Sequence, residues 1–164
     1  AKLQNLMFWH IQKAFKEAVK YRKLFIVEYI VEELDIKLSH DCFFGYFHRV
    51  LKTCMDADEE KDEVEQDVNR MVVRYLCQAC DKDTIDQMDE TDGSTPLHIA
   101  CQVLTDFQIV ELVVEAGADL NPVRNDNKLP LTIIRERMEA DPDNNDLYDI
   151  EEYLTRKGAQ ISWR

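Results

Sequence analysis

Few residues in this chain are spaced for chemistry. Cys77-Gln78-Ala79-Cys80 has the spacing of a redox dithiol or of half a zinc site. Neither use is supported elsewhere, because no second Cys-x-x-Cys and no His pair at ligand spacing occurs. Asp141-x-Asp143-x-Asn145, with Asp149 and Glu152 at the ninth and twelfth places, follows much of a calcium loop. Its sixth place is Asp146, where the sharp turn of such a loop needs Gly, and no helix pair flanks it as an EF-hand requires. A solvated acidic loop is the expected reading. His10, His40, His48 and His98 could act as general bases, but none has a nucleophile at recognisable spacing. Gly-rich phosphate loops, nucleophile elbows and paired catalytic carboxylates are missing from the sequence. No catalytic, metal or cofactor-binding residue is therefore assigned, and the chain is read as not an enzyme.

What the elements hold in place is a repeated apolar frame. One unit runs Gly93-Ser94-Thr95-Pro96-Leu97-His98-Ile99-Ala100 and continues through Ile109-Val110-Glu111-Leu112-Val113-Val114 to Gly117-Ala118-Asp119-Leu120-Asn121. Its second half recurs as Ile26-Val27-Glu28-Tyr29-Ile30-Val31, as Val72-Val73-Arg74-Tyr75-Leu76-Cys77, and as Ile150-Glu151-Glu152-Tyr153-Leu154-Thr155. Tyr29, Tyr75, Leu112 and Tyr153 then share one register, which is expected to face neighbouring repeats. Phe15, Phe47, Leu97 and Leu131 share another, each followed by Ala18, Val50, Ala100 or Ile134. Upstream, Leu3, Leu6, Met7, His10 and Ile11 extend the stripe of Ala14, Phe15, Ala18 and Val19 into a long first helix. Thr95 before Pro96 is a good helix entry, and Gly117 a good left-handed exit. In this register Cys77 falls on the apolar Val114 and Cys80 on the helix end at Gly117, which favours structural thiols.

The unit carrying Thr95-Pro96-Leu97-His98-x-Ala100 and Gly117-Ala118-Asp119-Leu120-Asn121 resembles the ankyrin repeat. That resemblance implies an all-α solenoid of stacked helix pairs. Four repeats are expected, near 1–39, 40–88, 89–121 and 122–164, in a single domain, with helix pairs near 3–33, 43–81, 96–116 and 130–157. Acidic insertions are expected at 55–67 and 139–147, between the paired helices of the second and fourth repeats. The resemblance also gives His48 and His98 a structural place at the helix start.

By the same resemblance, partners meet the finger loops and the exposed positions of the first helices. The partner-binding candidates are Asp89, Thr91, Asp92 and Ser94 with Gln102 and Val103 from the third repeat. Val123, Asn125, Asp126 and Lys128 with Arg135 and Glu136 follow from the fourth. Asp41, Cys42 and Phe44 would form the finger before the second repeat, and Trp9 and Trp163 are candidate contacts near the ends.

Composition bounds the partner. Thirty-three acidic against twenty basic side chains give a formal charge of −13, which disfavours nucleic acid and anionic membrane and favours a basic protein segment. Eight acids lie between Asp56 and Asp67, a run expected to be solvated and available to such a segment. An odd set of five cysteines in apolar contexts points to reduced thiols in the cytoplasm or nucleus. No membrane span or leader is seen, and a start at Ala1 without Met is compatible with a fragment of a longer chain and does not establish one. The expected function is thus a protein-interaction scaffold. An adaptor or substrate-receptor segment of a larger complex, such as a ubiquitin ligase, is the alternative, and a small enzyme the third choice.

Overall fold

The computed structural model describes residues 9–33, 63–103 and 106–162, except 12, 16, 19 and 22, and the side chains of 63–66 and 103 are also outside the description. The chain divides into two compact units, Ala1–Asp81 and Lys82–Arg164. All regular structure among the described residues is helical.

In the first unit the described residues between 9 and 20 form α1, closed by the Tyr21 N–H donating to Glu17 O at 2.9 Å. Phe15 and Ala18 are buried on one side of it, as the stripe predicts, whereas His10 and Ala14 are exposed. α2 (Leu24–Glu28) runs on through one wider π turn, Tyr29–Glu33. α2 packs against α3 (Glu63–Ala79), whose Val72, Val73, Tyr75 and Leu76 are buried. Glu63 to Asp67, the end of the acidic run expected at 55–67, lie on this helix, and 55–62 lie outside the described residues. The finger expected at Asp41, Cys42 and Phe44, the anchors Phe47 and Val50, and Trp163 lie outside the described residues.

The second unit opens with the short α4 (Lys82–Ile85) and then holds two helix pairs. α5 (Pro96–Val103) pairs with α6 (Phe107–Glu115), and α7 (Pro130–Ala140) with α8 (Asn145–Lys157). α5 packs on α7 and α6 on α8, so first helices stack on first and second on second. Leu97, Ala100, Leu131 and Ile134, the predicted first-helix anchors, are all at or below 1% exposure. The insertion expected at 139–147 is corrected. α7 extends to Ala140, α8 begins at Asn145 and buries Leu147, and only Asp141 to Asn144 connect them. The extra residues lengthen the helices instead of leaving the stack.

The second-helix register is one residue later than the tyrosine frame suggests. Ile30, Leu76, Val113 and Leu154 are buried in all four copies. In the tyrosine frame Tyr75 and Tyr153 are buried, but Leu112 is half-buried and Tyr29 is 51% exposed. Tyr153 is held from two sides, by the edge of Phe107 with ring centroids 5.2 Å apart and by its hydroxyl donating to Glu115 Oε1 at 3.0 Å.

Helix ends follow local chemistry. Asp106 Oδ1 accepts the Gln108 N–H at 3.0 Å at the start of α6. Both α6 and α8 end in a Schellman closure on a left-handed glycine, Gly117 at φ 95° and Gly158 at φ 104°, with the next residue's N–H reaching back five residues. Beyond these exits the repeats are tied by side chains that receive backbone: Asp86 Oδ1 accepts the Asp119 N–H at 2.6 Å, and Asn121 Oδ1 the Gln160 N–H at 2.7 Å.

Candidate functional site

The finger before α5 is built from its own side chains. Asp89 and Ser94 close it through the Asp89 N–H to Ser94 O bond at 2.8 Å and the Gly93 N–H to Asp89 O bond at 2.8 Å. Asp89 Oδ1 accepts the Thr91 N–H at 2.8 Å and the Thr91 hydroxyl as well, and Asp92 Oδ1 accepts the Ser94 N–H at 2.8 Å. These are Asx-type turns, in which a carboxylate replaces a backbone acceptor. Asp89 and Asp92, expected as partner contacts, are thus also part of the finger's frame.

At the base of the finger Thr95, Pro96 and His98 form one device. The His98 N–H approaches Thr95 Oγ1 at 3.4 Å, and the Thr95 N–H donates back to His98 Nδ1 at 3.1 Å. That is the reciprocal logic of a capping box, with an imidazole in place of the usual Glu. Pro96 at the first helical position forfeits no hydrogen bond. His98 Nε2 lies 3.0 Å from Lys128 O, which can only accept, so Nε2 carries the proton and Nδ1 the lone pair. His98 is fully buried, and burial holds its pKa below the ordinary 6.5. A neutral imidazole that joins the start of one repeat to the finger of the next is structural, as expected.

The second finger, before α7, is closed by the Arg124 N–H to Lys128 O bond at 3.0 Å and the Asn127 N–H to Arg124 O bond at 2.8 Å, with Asn127 at φ 63°. The two fingers touch directly: the Asn125 N–H donates to Asp92 O at 3.1 Å. Gly93, at φ 73°, permits this approach, because a Cβ there would lie 2.5 Å from Asn125 Oδ1 and 3.2 Å from Asn125 N.

Charged side chains cover the joined fingers and the exposed turns of α5 and α7. Arg124 grips Asp126 in a two-point pair at 2.8 and 2.6 Å and reaches Gln102 Oε1 at 2.7 Å. The Arg124 guanidinium holds the Asp126 carboxyl down at about 2. Lys128 pairs with Glu136 at 2.6 Å, and Arg135 with Glu151 at 2.6 Å.

Of the predicted contacts, Thr91, Gln102, Asn125, Asp126, Arg135 and Glu136 are exposed, while Asp89, Asp92, Val123 and Lys128 are half-buried. Ser94 is 1% exposed and cannot meet a partner without the finger opening, so its inclusion is corrected by burial. The side chain of Val103 lies outside the described residues. Sequence reasoning passed over Arg124 and Glu151. Arg124 stands two residues before Asp126, a spacing that only a tight turn turns into a pair. No local signal joins it to Gln102 or joins Glu151 to Arg135.

The other motifs resolve into structure. Burial pushes the Cys77 thiol up to about 12 and raises that of Cys80, which disfavours a free thiolate at either position. Asn145, Asp149 and Glu152 lie on α8 and cannot wrap a cation as loop residues do, and Asp141 Oδ2 accepts from Asn144 Nδ2 at 3.1 Å. Among the described residues no group of His, Cys, Asp and Glu is placed to hold a metal ion, and no helix is long and apolar enough to cross a membrane.

Residues 92–126 match the family model of the ankyrin repeat. The match begins inside the first finger and ends inside the second, so it spans one complete finger-to-finger unit. No curated protein matches the chain. Ankyrin repeats are in general units of protein–protein interaction, typically without catalysis.

Proposed function

We propose that this protein is a non-enzymatic scaffold that holds a basic segment of a partner protein across the fingers at 89–94 and 123–128 and the exposed turns of α5 and α7. The observation that carries the reading is the joint between the fingers. Asn125 and Asp92 are bonded backbone to backbone, and His98 anchors the second finger to the first repeat helix, so Thr91, Gln102, Asn125, Asp126, Arg135 and Glu136 project from one prebuilt platform. A surface that is ordered before binding loses little entropy when occupied. Asp126 and Glu136 are already answered by Arg124 and Lys128. The acidic character that would draw a basic ligand therefore comes from Asp89, Glu90 and Asp92 and from the overall charge of −13. Buried thiols at Cys77 and Cys101, both pushed up to about 12, suit a reducing cytoplasmic or nuclear setting.

The test uses variants that remove charge and keep the turn. Asp89→Asn and Asp92→Asn retain the side-chain oxygens that accept from Thr91 and Ser94, and Glu90→Gln removes the third charge. Titrated with a fluorescein-labelled Lys/Arg-rich peptide, the triple variant should bind about tenfold or more weakly than wild type, with most of the difference vanishing in high salt. Equal affinity at low salt would remove the acidic finger from the interface.

A further inference from the structure

Against its overall charge of −13, the chain opens with a basic stretch. Residues 1–24 hold Lys2, Lys13, Lys16, Lys20, Arg22 and Lys23 against one acid, Glu17. The first unit sorts part of this stretch by face. With 3.6 residues per turn, positions 9, 13 and 20 of α1 project within roughly 40° of one another, opposite Ala18, which is buried with Phe15. Trp9 is 53% exposed on that outer stripe, with Lys13 Nζ 5.3 Å from its ring centre. Lys20 Nζ stands 4.8 Å from the ring of Tyr21, which is exposed, and Phe25 is 77% exposed on α2. Along the outer stripe of α1 and its end at Tyr21, cations and rings thus alternate, and the cation–π contacts hold the ammonium groups at the aromatic faces.

We propose that the face formed by Trp9, Lys13, Lys20 and Tyr21 is a second docking surface, whose occupant is an acidic, partly apolar segment of a partner protein. Charge complementarity selects the acid: several clustered cations repel a basic segment and attract carboxylates. The rings select the apolar part, since an exposed Trp gains most from being covered and is a frequent interface anchor. An anionic membrane fits less well. The side of α1 that carries Phe15 and Ala18 is turned into the unit and not toward a bilayer. This surface stands independently of the fingers, which attract the opposite charge.

The probe is a short fluorescein-labelled peptide of Asp, Glu and Leu, titrated into the full chain and followed by anisotropy and by Trp9 emission in a Trp163→Phe background. The peptide should bind and alter Trp9 emission, its affinity should fall with salt, and its Asn/Gln counterpart should not bind. Lys13→Glu with Lys20→Glu should weaken it about tenfold or more. The finger variants Asp89→Asn and Asp92→Asn should leave it unchanged. Both lysines are exposed, so the double variant should melt like wild type; if it does not, Trp9→Ala and Tyr21→Ala must weaken binding in its place. Failure to bind the acidic peptide, or binding indifferent to these variants, would overturn the proposal. So would association with phosphatidylserine vesicles in its stead, or a charge-dependent dimer that leaves the peptide unbound.

Discussion

The imidazole of His98 uses both nitrogens on backbone, one taking the Thr95 N–H and the other donating to Lys128 O. Protonation would turn the Nδ1 acceptor into a second donor facing a donor, and burial already lowers the pKa from 6.5. The sign for stability follows. The unfolded chain takes up a proton near 6.5 that the folded chain refuses, so the stability due to neutral His98 is complete above that pH and declines as pH falls below it. Nitrogen NMR should accordingly show a neutral ring protonated at Nε2 well below pH 6.5, and a ring titrating at 6.5 would contradict this. His98→Ala takes the acceptor from the buried Thr95 N–H, while Lys128 O keeps the Arg124 N–H, and should cost about 1–3 kcal/mol in denaturant unfolding. Asp126 behaves differently. Its pairing with Arg124 favours the folded state above the ordinary carboxylate pKa of 3.8 and is lost as pH falls toward 2. The pair is exposed, so Asp126→Asn should change stability by less than about 1 kcal/mol at neutral pH.

Each helix is placed by a pattern of buried positions, and the best test sets two neighbouring patterns against each other. Leu154→Ala should cost roughly 2–5 kcal/mol, because Leu154 is completely buried, whereas the half-buried Leu112→Ala should cost clearly less. Equal costs in chemical denaturation would refute the register given by Ile30, Leu76, Val113 and Leu154. Gly93 and Gly117 separate two reasons for a glycine. Gly117→Ala meets no atom within 4 Å and should cost only the left-handed conformation, about 1 kcal/mol. Gly93→Ala adds a clash with Asn125, so its melting temperature should fall further. The Thr95 to Ala100 motif, the exit at Gly117 and the anchors Phe15, Leu97 and Leu131 were legible in the sequence because each depends on residues within one or two turns. The second-helix register was misread by one place because Tyr29 and Tyr75 align as letters but differ in burial. The insertion at 139–147 was misread because Asp141 to Asp146 reads as loop, while Leu147 anchors the turn to the core. Of the site, the fingers could be located from Gly93 and Pro130. Pairing of Arg124 with Gln102 and of Arg135 with Glu151 arises from stacking, and sequence spacing carries no trace of it.

At the scale of the molecule, charge and stacking act together. First helices stack on first helices in the second unit, and that stacking brings two fingers close enough to share a backbone hydrogen bond. In the proposed function the acidic surplus would speed encounter with a basic ligand at low salt and leave the geometry of the fingers to set what stays bound. The measurement that addresses this most directly is a nitrogen–proton correlation spectrum of the labelled protein, titrated with the Lys/Arg-rich peptide. The shifts should concentrate at Glu90, Thr91, Asn125 and Asp126 and on Gln102, Arg135 and Glu136, with the exposed side of α8 at Tyr148, Glu152 and Thr155 unmoved. Shifts confined to α8, or none at peptide concentrations that saturate anisotropy, would contradict binding at the joined fingers.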